Sequence, residues 1–180
     1  MKRIIYLSLV RSNLEYSSQS WSVCTKKSLL RLESVQRRAT KYILGYDKCK
    51  GMEYKQRLII LNILPLGYRR ELLDSIFLFK CLNGNYKLNV HNLVQFKTNN
   101  NYLVKLPHFR SESFRQSYFN RISYIWNAHF TINMQAVPLM SVNSYKFHLI
   151  KFYKNLVHKR FESDNTCTWV SHCHCAQCRV

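Results

Sequence analysis

The stretch Lys26-Lys-Ser-Leu-Leu-Arg-Leu-Glu-Ser-Val-Gln-Arg-Arg-Ala-Thr-Lys-Tyr-Ile-Leu-Gly45 decides the fold class. Leu32, Val35, Ala39 and Tyr42 recur at steps of three and four, the spacing that gathers apolar residues on one side of a helix. Gly45 stands where a helix ends most easily. Lys27, Arg31, Arg38 and Lys41 form a second stripe beside the apolar one, with Lys26 and Arg37 at its flanks. Their spacing suits contact with successive phosphates of a nucleic acid. A plain solvated helix face accounts for the same pattern.

Outward from this helix the chain repeats the theme. Lys2 to Trp21 places Ile4, Leu7, Leu14 and Trp21 on one face. The opening Met1 to Val10 has the basic start and short apolar run of a leader peptide. Arg11 follows at once without a small-residue cleavage site, and the run is too short for a membrane span, so an amphipathic helix is expected. A helix over Glu53 to Asn62 stops before Pro65. Another over Gly67 to Leu82 aligns Leu72, Ile76 and Phe79 and ends at Asn83-Gly84-Asn85. Tyr86 to Ser113 is rich in asparagine and reads as a long connection with one or two weak strands. Helical spacing resumes over Phe114 to Phe130 and again over Val142 to Phe161, where Lys151, Lys154 and His158 share a face. The aromatics at helical spacing, Trp21, Tyr42, Phe77, Phe79 and Trp126, are expected in the core. With only four glycines and three prolines in 180 residues, the expectation is a mainly α protein: a helical bundle, an irregular connection, then further helices. Four segments follow, 1–46, 47–85, 86–161 and a Cys/His-rich tail, 162–180.

Charge limits the function classes. The chain carries 28 Lys and Arg against 9 Asp and Glu, a formal +19. The excess is spread along its length: 13 basic and 4 acidic side chains in residues 1–60, 8 and 3 in 61–120, 7 and 2 in 121–180. A folded surface facing a polyanion is the expected consequence. No Walker-type glycine loop, Gly-x-Ser-x-Gly elbow or His-Glu-x-x-His helix is present.

Seven cysteines, an odd number without a secretory leader, point to a reducing, intracellular setting, nucleus or cytoplasm, and not to secretion. Four of them, Cys167, Cys173, Cys175 and Cys178, crowd the tail together with His172 and His174. Sulfur and imidazole ligands in fours suit zinc. The spacing C-x5-C-x-C-x2-C departs from standard fingers, and an unstructured reducible tail is the alternative.

Several segments resemble the region that follows the catalytic palm in reverse transcriptases of LINE-type, non-LTR retrotransposons. Tyr6-Leu-Ser-Leu-Val-Arg-Ser-Asn-Leu-Glu-Tyr16 through Trp21 is similar to the family's "LYxSLVRSxLEYxxxxW". Leu32-Glu-Ser-Val-Gln-Arg-Arg-Ala-Thr40 resembles its "LExVQRRAT" helix. Tyr54-Lys-Gln-Arg-Leu58 matches "YxxRL", and Leu64 to Gly84, with Tyr68-Arg-Arg70, Asp74, Phe79-Lys80 and Asn83-Gly84, is similar to "LxxRRxxxDxxxxyKxxNG". Tyr118-Phe-Asn-Arg-Ile122 and Trp126-Asn127 resemble "sfFxRixxxWN". Ala128-His129 stand where the family has Leu-Pro, and Asn99 to Lys105 holds less arginine than its counterpart.

The resemblance implies that 1–46 is a thumb-like subdomain that grips an RNA or DNA template–primer duplex. The rest would be the family's C-terminal extension. Polymerase chemistry needs clustered carboxylates to hold two divalent metals. Asp47, Asp74 and Asp164 are the only aspartates, and none are adjacent. The implied role is therefore non-catalytic: a fragment that holds nucleic acid through Lys27, Arg31, Arg37, Arg38 and Lys41. It would need the palm and fingers of a parent polymerase, with no membrane partner. Two other readings stay open: a degenerate relic of a retroelement, and a small basic interaction module with a zinc-binding tail.

Overall fold

The computed structural model describes residues 1–21, 26–88, 94–98, 100–106, 108, 111, 114, 117–133 and 140–160. The protein is mainly helical, as the spacing predicts. A first helical rod runs through α1 (Lys2–Ile5), a π-helical stretch (Tyr6–Val10) and α2 (Arg11–Glu15). Then come α3 (Lys26–Leu44), a 3-10 turn (Asp47–Cys49), α4 (Tyr54–Leu61) and α5 (Leu66–Leu82). A two-stranded antiparallel hairpin, β1 (Phe96–Lys97) and β2 (Asn100–Val104), precedes α6 (Tyr118–Asn133) and α7 (Val142–Arg160). Among the described residues no helix is long and apolar enough to cross a membrane.

The helix ends follow local chemistry. The backbone N–H of Glu53, just before α4, donates to Gln56 Oε1 at 3.1 Å, one arm of a capping box. Asn62 closes α4 in the left-handed region at φ 52°, which asparagine tolerates better than most residues. Gly45, at φ 95°, ends α3 as its sequence position predicts.

Helix α5 is the hub. It packs on α2, α3, α6 and α7 and buries side chains around nearly its whole circumference. Leu72, Ile76 and Phe79 lie in the core as expected. Arg70, Glu71, Asp74 and Ser75 are buried as well, which a single apolar face does not foretell. Asp74 Oδ2 takes Arg121 Nε of α6 at 2.9 Å, and Glu71 Oε2 accepts Tyr153 Oη of α7 at 3.1 Å. Buried polar groups of this kind persist only when paired. Phe79 stacks on Tyr145 at 4.2 Å between centroids, and Tyr68 meets Tyr153 at 5.4 Å. One hydrophobic cluster results, with members from Tyr6 to Val157.

Asn127 ties the hairpin to α6. Its Oδ1 accepts from Val104 N and its Nδ2 donates to Val104 O, both at 2.8 Å. Trp126, its neighbour in the Trp-Asn pair, is buried in the core. Phe114 is helical, as the spacing suggests, but lies ahead of α6 and is 54% exposed.

Three apolar positions also depart from expectation. The first rod stops at Glu15, Ile4 is 68% exposed, and Trp21 lies beyond the helix with its ring against Arg70 at 5.4 Å. The inward residue of the rod is Tyr6. Tyr42 is 52% exposed and lies outside the core.

His129 sits inside α6, fully enclosed. Its Nε2 lies 2.9 Å from Tyr153 Oη, which in turn donates to Glu71. Burial pushes its pKa down to about 3. The folded chain therefore holds a neutral ring, whereas the unfolded chain takes up a proton near the ordinary histidine value of about 6.5. The stability supplied by the neutral ring is complete above pH 6.5 and is lost as pH falls toward 3. Relative to a His129→Gln chain, the wild type should lose about 1.4 kcal/mol per pH unit below 6.5. Urea unfolding of both chains across that range checks this, and a gap independent of pH would refute it.

Candidate nucleic-acid interface

Helix α3 is oriented by a buried face that is polar. At about 100° per residue, Glu33, Gln36 and Thr40 lie within a narrow arc, and all three are buried. Gln36 is completely enclosed. Its Oε1 accepts from Tyr6 Oη at 2.7 Å, and its Nε2 donates to Tyr54 Oη at 2.9 Å and to Leu64 O at 3.1 Å. Tyr54 Oη donates to Glu33 Oε1, and the backbone N–H of Leu66, the first residue of α5, donates to Glu33 Oε2 at 3.0 Å. Thr40 Oγ1 accepts from Arg57 Nε at 3.2 Å, and Arg57 Nη1 donates to Met52 O. The network joins the first rod, α3, α4 and the start of α5.

Its electrostatics are those of a dry site. Burial raises the Glu33 carboxyl above its ordinary range. The Tyr54 hydroxyl, the Leu66 amide and the positive fields of Arg70 and Arg37 offset part of that rise. Burial and the neighbouring Glu33 push the Tyr6 and Tyr54 hydroxyls up, so both stay protonated as donors. Tyr54 is further held by two guanidinium groups near its ring, Arg37 at 4.8 Å and Arg57 at 5.5 Å.

The network fixes what faces outward. On the same angular count Lys27, Arg31, Arg38 and Lys41 span about 80° of arc, opposite Gln36, and along the axis they cover about 21 Å. All four are exposed. The structure thus places these four candidate residues together. The fifth, Arg37, leaves the stripe: it is half-buried at the flank, against Tyr54. Tyr42 borders the stripe with Lys2 Nζ 4.8 Å from its ring centre, and Tyr46 follows the helix at 65% exposure. The apolar stripe expected from Leu32, Val35, Ala39 and Tyr42 is rotated roughly a quarter-turn from the face actually buried. The polar residues sit deeper because each meets a fixed partner there.

Arg69 and Arg70 of α5 face different partners. Arg69 makes a two-pronged pair with Glu15 of α2, Nε to Oε1 at 2.9 Å and Nη2 to Oε2 at 2.7 Å. Arg70 lies between the fields of Glu33 and Asp74. The remaining expected site, Cys167, Cys173, Cys175 and Cys178, lies outside the described residues, as does Cys24. Cys49 and Cys81 are buried free thiols. No group of three metal-ligating side chains occurs among the described residues.

Sequence reading finds the stripe and misses the network. The signal was present in retrospect: Glu33, Gln36 and Thr40 recur at steps of three and four, as core residues do, but polar identity hid the period. Glu33→Ala removes acceptors from two buried donors and should cost about 3 to 5 kcal/mol. That corresponds to about 10 °C in melting temperature for a chain of this size. A thermal melt followed by circular dichroism measures it, and a loss below about 1 kcal/mol would contradict the network's role.

Compared with models of protein families, with curated proteins and with solved structures, the chain has no match in any of the three.

Proposed function

We propose that the chain is a non-catalytic, nucleic-acid-holding piece of a non-LTR retrotransposon reverse transcriptase, in which the exposed face of α3 lies along the phosphates of a template–primer duplex. One observation carries the reading. Lys27, Arg31, Arg38 and Lys41 are brought to one exposed face by a helix whose opposite face is locked. A rigid row of cations positions a duplex without reading its bases and gains affinity by releasing counterions.

The sequence resemblance supports the same reading. Glu33, Gln36 and Thr40 of the "LExVQRRAT" stretch hold the helix, while Arg38 of that stretch joins the outward row. Ile4, Ile5 and Leu9 of the first rod are exposed at 68, 43 and 63%. A neighbouring domain would cover apolar side chains of this kind, and in this reading the parent polymerase's palm supplies it. The metal-binding carboxylates of polymerization belong to that palm.

Charge reversal tests the proposal. Arg31→Glu with Arg38→Glu is expected to weaken duplex binding and to make the slope of log K against log salt shallower by about 2, close to 0.9 per lost phosphate contact. Both side chains are exposed, so the fold should be unaffected. Filter binding at several salt concentrations reads the slope, and an unchanged slope would remove α3 as the interface.

A further inference from the structure

Three of the described acids, Glu33, Glu71 and Asp74, are buried, and Glu15 is half-buried. Six of the nine lie among the described residues. Glu15 holds Arg69 and Arg11, Glu33 accepts from Tyr54 and Leu66, Glu71 from Tyr153, and Asp74 from Arg121. Glu53 precedes α4, and Asp47 opens the 3-10 turn. Among the described residues none of these acids is paired with a cation of α7.

Helix α7 has no acidic residue of its own and carries Lys146, Lys151, Lys154, Lys159 and Arg160, with His148 and His158. Its inner face is fixed by Tyr145, Leu149, Tyr153, Leu156 and Val157, all buried. At 100° per residue Phe147, Lys151, Lys154 and His158 fall within about 60° on the opposite side and run about 16 Å along the axis. Lys151 and His158 are exposed and Lys154 is half-buried. Phe147, at the N-terminal end of this row, is 66% exposed. Its one ring contact among the described residues is edge-on with His148 at 6.4 Å, so most of its face is open to a ligand beside the cations. The cavity that Lys154 and His158 line with Leu58, Ile59, Asn62 and Ile63 is only about 30 Å³, too small for a base.

We propose that this face of α7 is a second nucleic-acid site, distinct from α3, that takes a single strand: Lys151, Lys154 and His158 follow its phosphates and Phe147 stacks on one base. An aromatic platform within a basic row is the arrangement that suits unpaired bases, whose faces a duplex hides.

The full chain is titrated by fluorescence anisotropy with an oligothymidylate carrying one 2-aminopurine and, separately, with a blunt duplex. Lys151→Glu with Lys154→Glu should weaken single-strand binding at least tenfold and change duplex binding less than twofold. Phe147→Ala should weaken single-strand binding about fivefold or more, the lower end expected for one lost stack, and abolish quenching of 2-aminopurine. Arg31→Glu with Arg38→Glu should do the reverse, losing duplex and keeping the single strand, so failure at one helix is separable from failure at the other. Lys97→Glu with Lys105→Glu, on the exposed hairpin, carries the same charge change and should leave single-strand binding within twofold. The proposal is overturned if the hairpin pair matches the α7 pair, if α7 substitutions weaken duplex and single strand alike, if Phe147→Ala leaves quenching intact, or if the wild type binds no single strand.

Discussion

The completely buried amide of Gln36 is the contact on which the rest of the structure depends. It receives the Tyr6 hydroxyl from the first rod and donates to Tyr54 of α4 and to the Leu64 carbonyl ahead of α5. Glu33 extends the same set to the first amide of α5. Each bond contributes modestly on its own, on the order of 1 kcal/mol, but a buried donor or acceptor left unpaired costs more than that. The network is therefore a strong constraint on rotation. Turning α3 by a quarter-turn to bury Leu32, Val35 and Tyr42 would carry Glu33, Gln36 and Thr40 away from Tyr6, Tyr54, Arg57, Leu64 and Leu66 and leave those buried groups unpaired. The apolar gain from Tyr42 and the already half-buried Leu32 and Val35 does not offset those unpaired donors and acceptors.

That constraint sets the electrostatic surface. With Gln36 facing inward, Lys27, Arg31, Arg38 and Lys41 face outward with no freedom to retreat. Inside, Glu15, Glu71 and Asp74 are held by Arg69, Tyr153 and Arg121. These pairings remove negative charge from the surface as they stabilise the core. Cations line exposed faces of two separate helices, α3 and α7.

Much of the architecture was legible in the residues. The helices over Tyr54–Leu61, Leu66–Leu82 and Val142–Arg160 fall within a residue of the spacing-based bounds. Their apolar side chains outnumber the polar ones at inward positions, and Asn62, Pro65 and Gly84 punctuate them. The basic row on α3 was legible for the same reason: charged side chains at helical spacing face water. What stayed hidden was the identity of the buried face. Hydrophobic periodicity assumes that apolar residues mark the inside. On α3 that assumption fails because Tyr6, Tyr54 and Arg57, each remote in sequence, supply partners no local pattern announces. The Asp74–Arg121 pair and the Glu71–Tyr153–His129 chain escaped notice likewise, since each joins residues 24 to 82 positions apart.

Lysine footprinting reads out whether a locked α3 presents its basic row to a duplex. The chain is acetylated with and without a blunt duplex, and modification is read residue by residue. Bound duplex should protect Lys27 and Lys41 on α3 while Lys97 and Lys105 at the hairpin stay reactive. Equal protection at all four positions would mean diffuse attraction to net charge, and reactive Lys27 and Lys41 in the saturated complex would contradict the account.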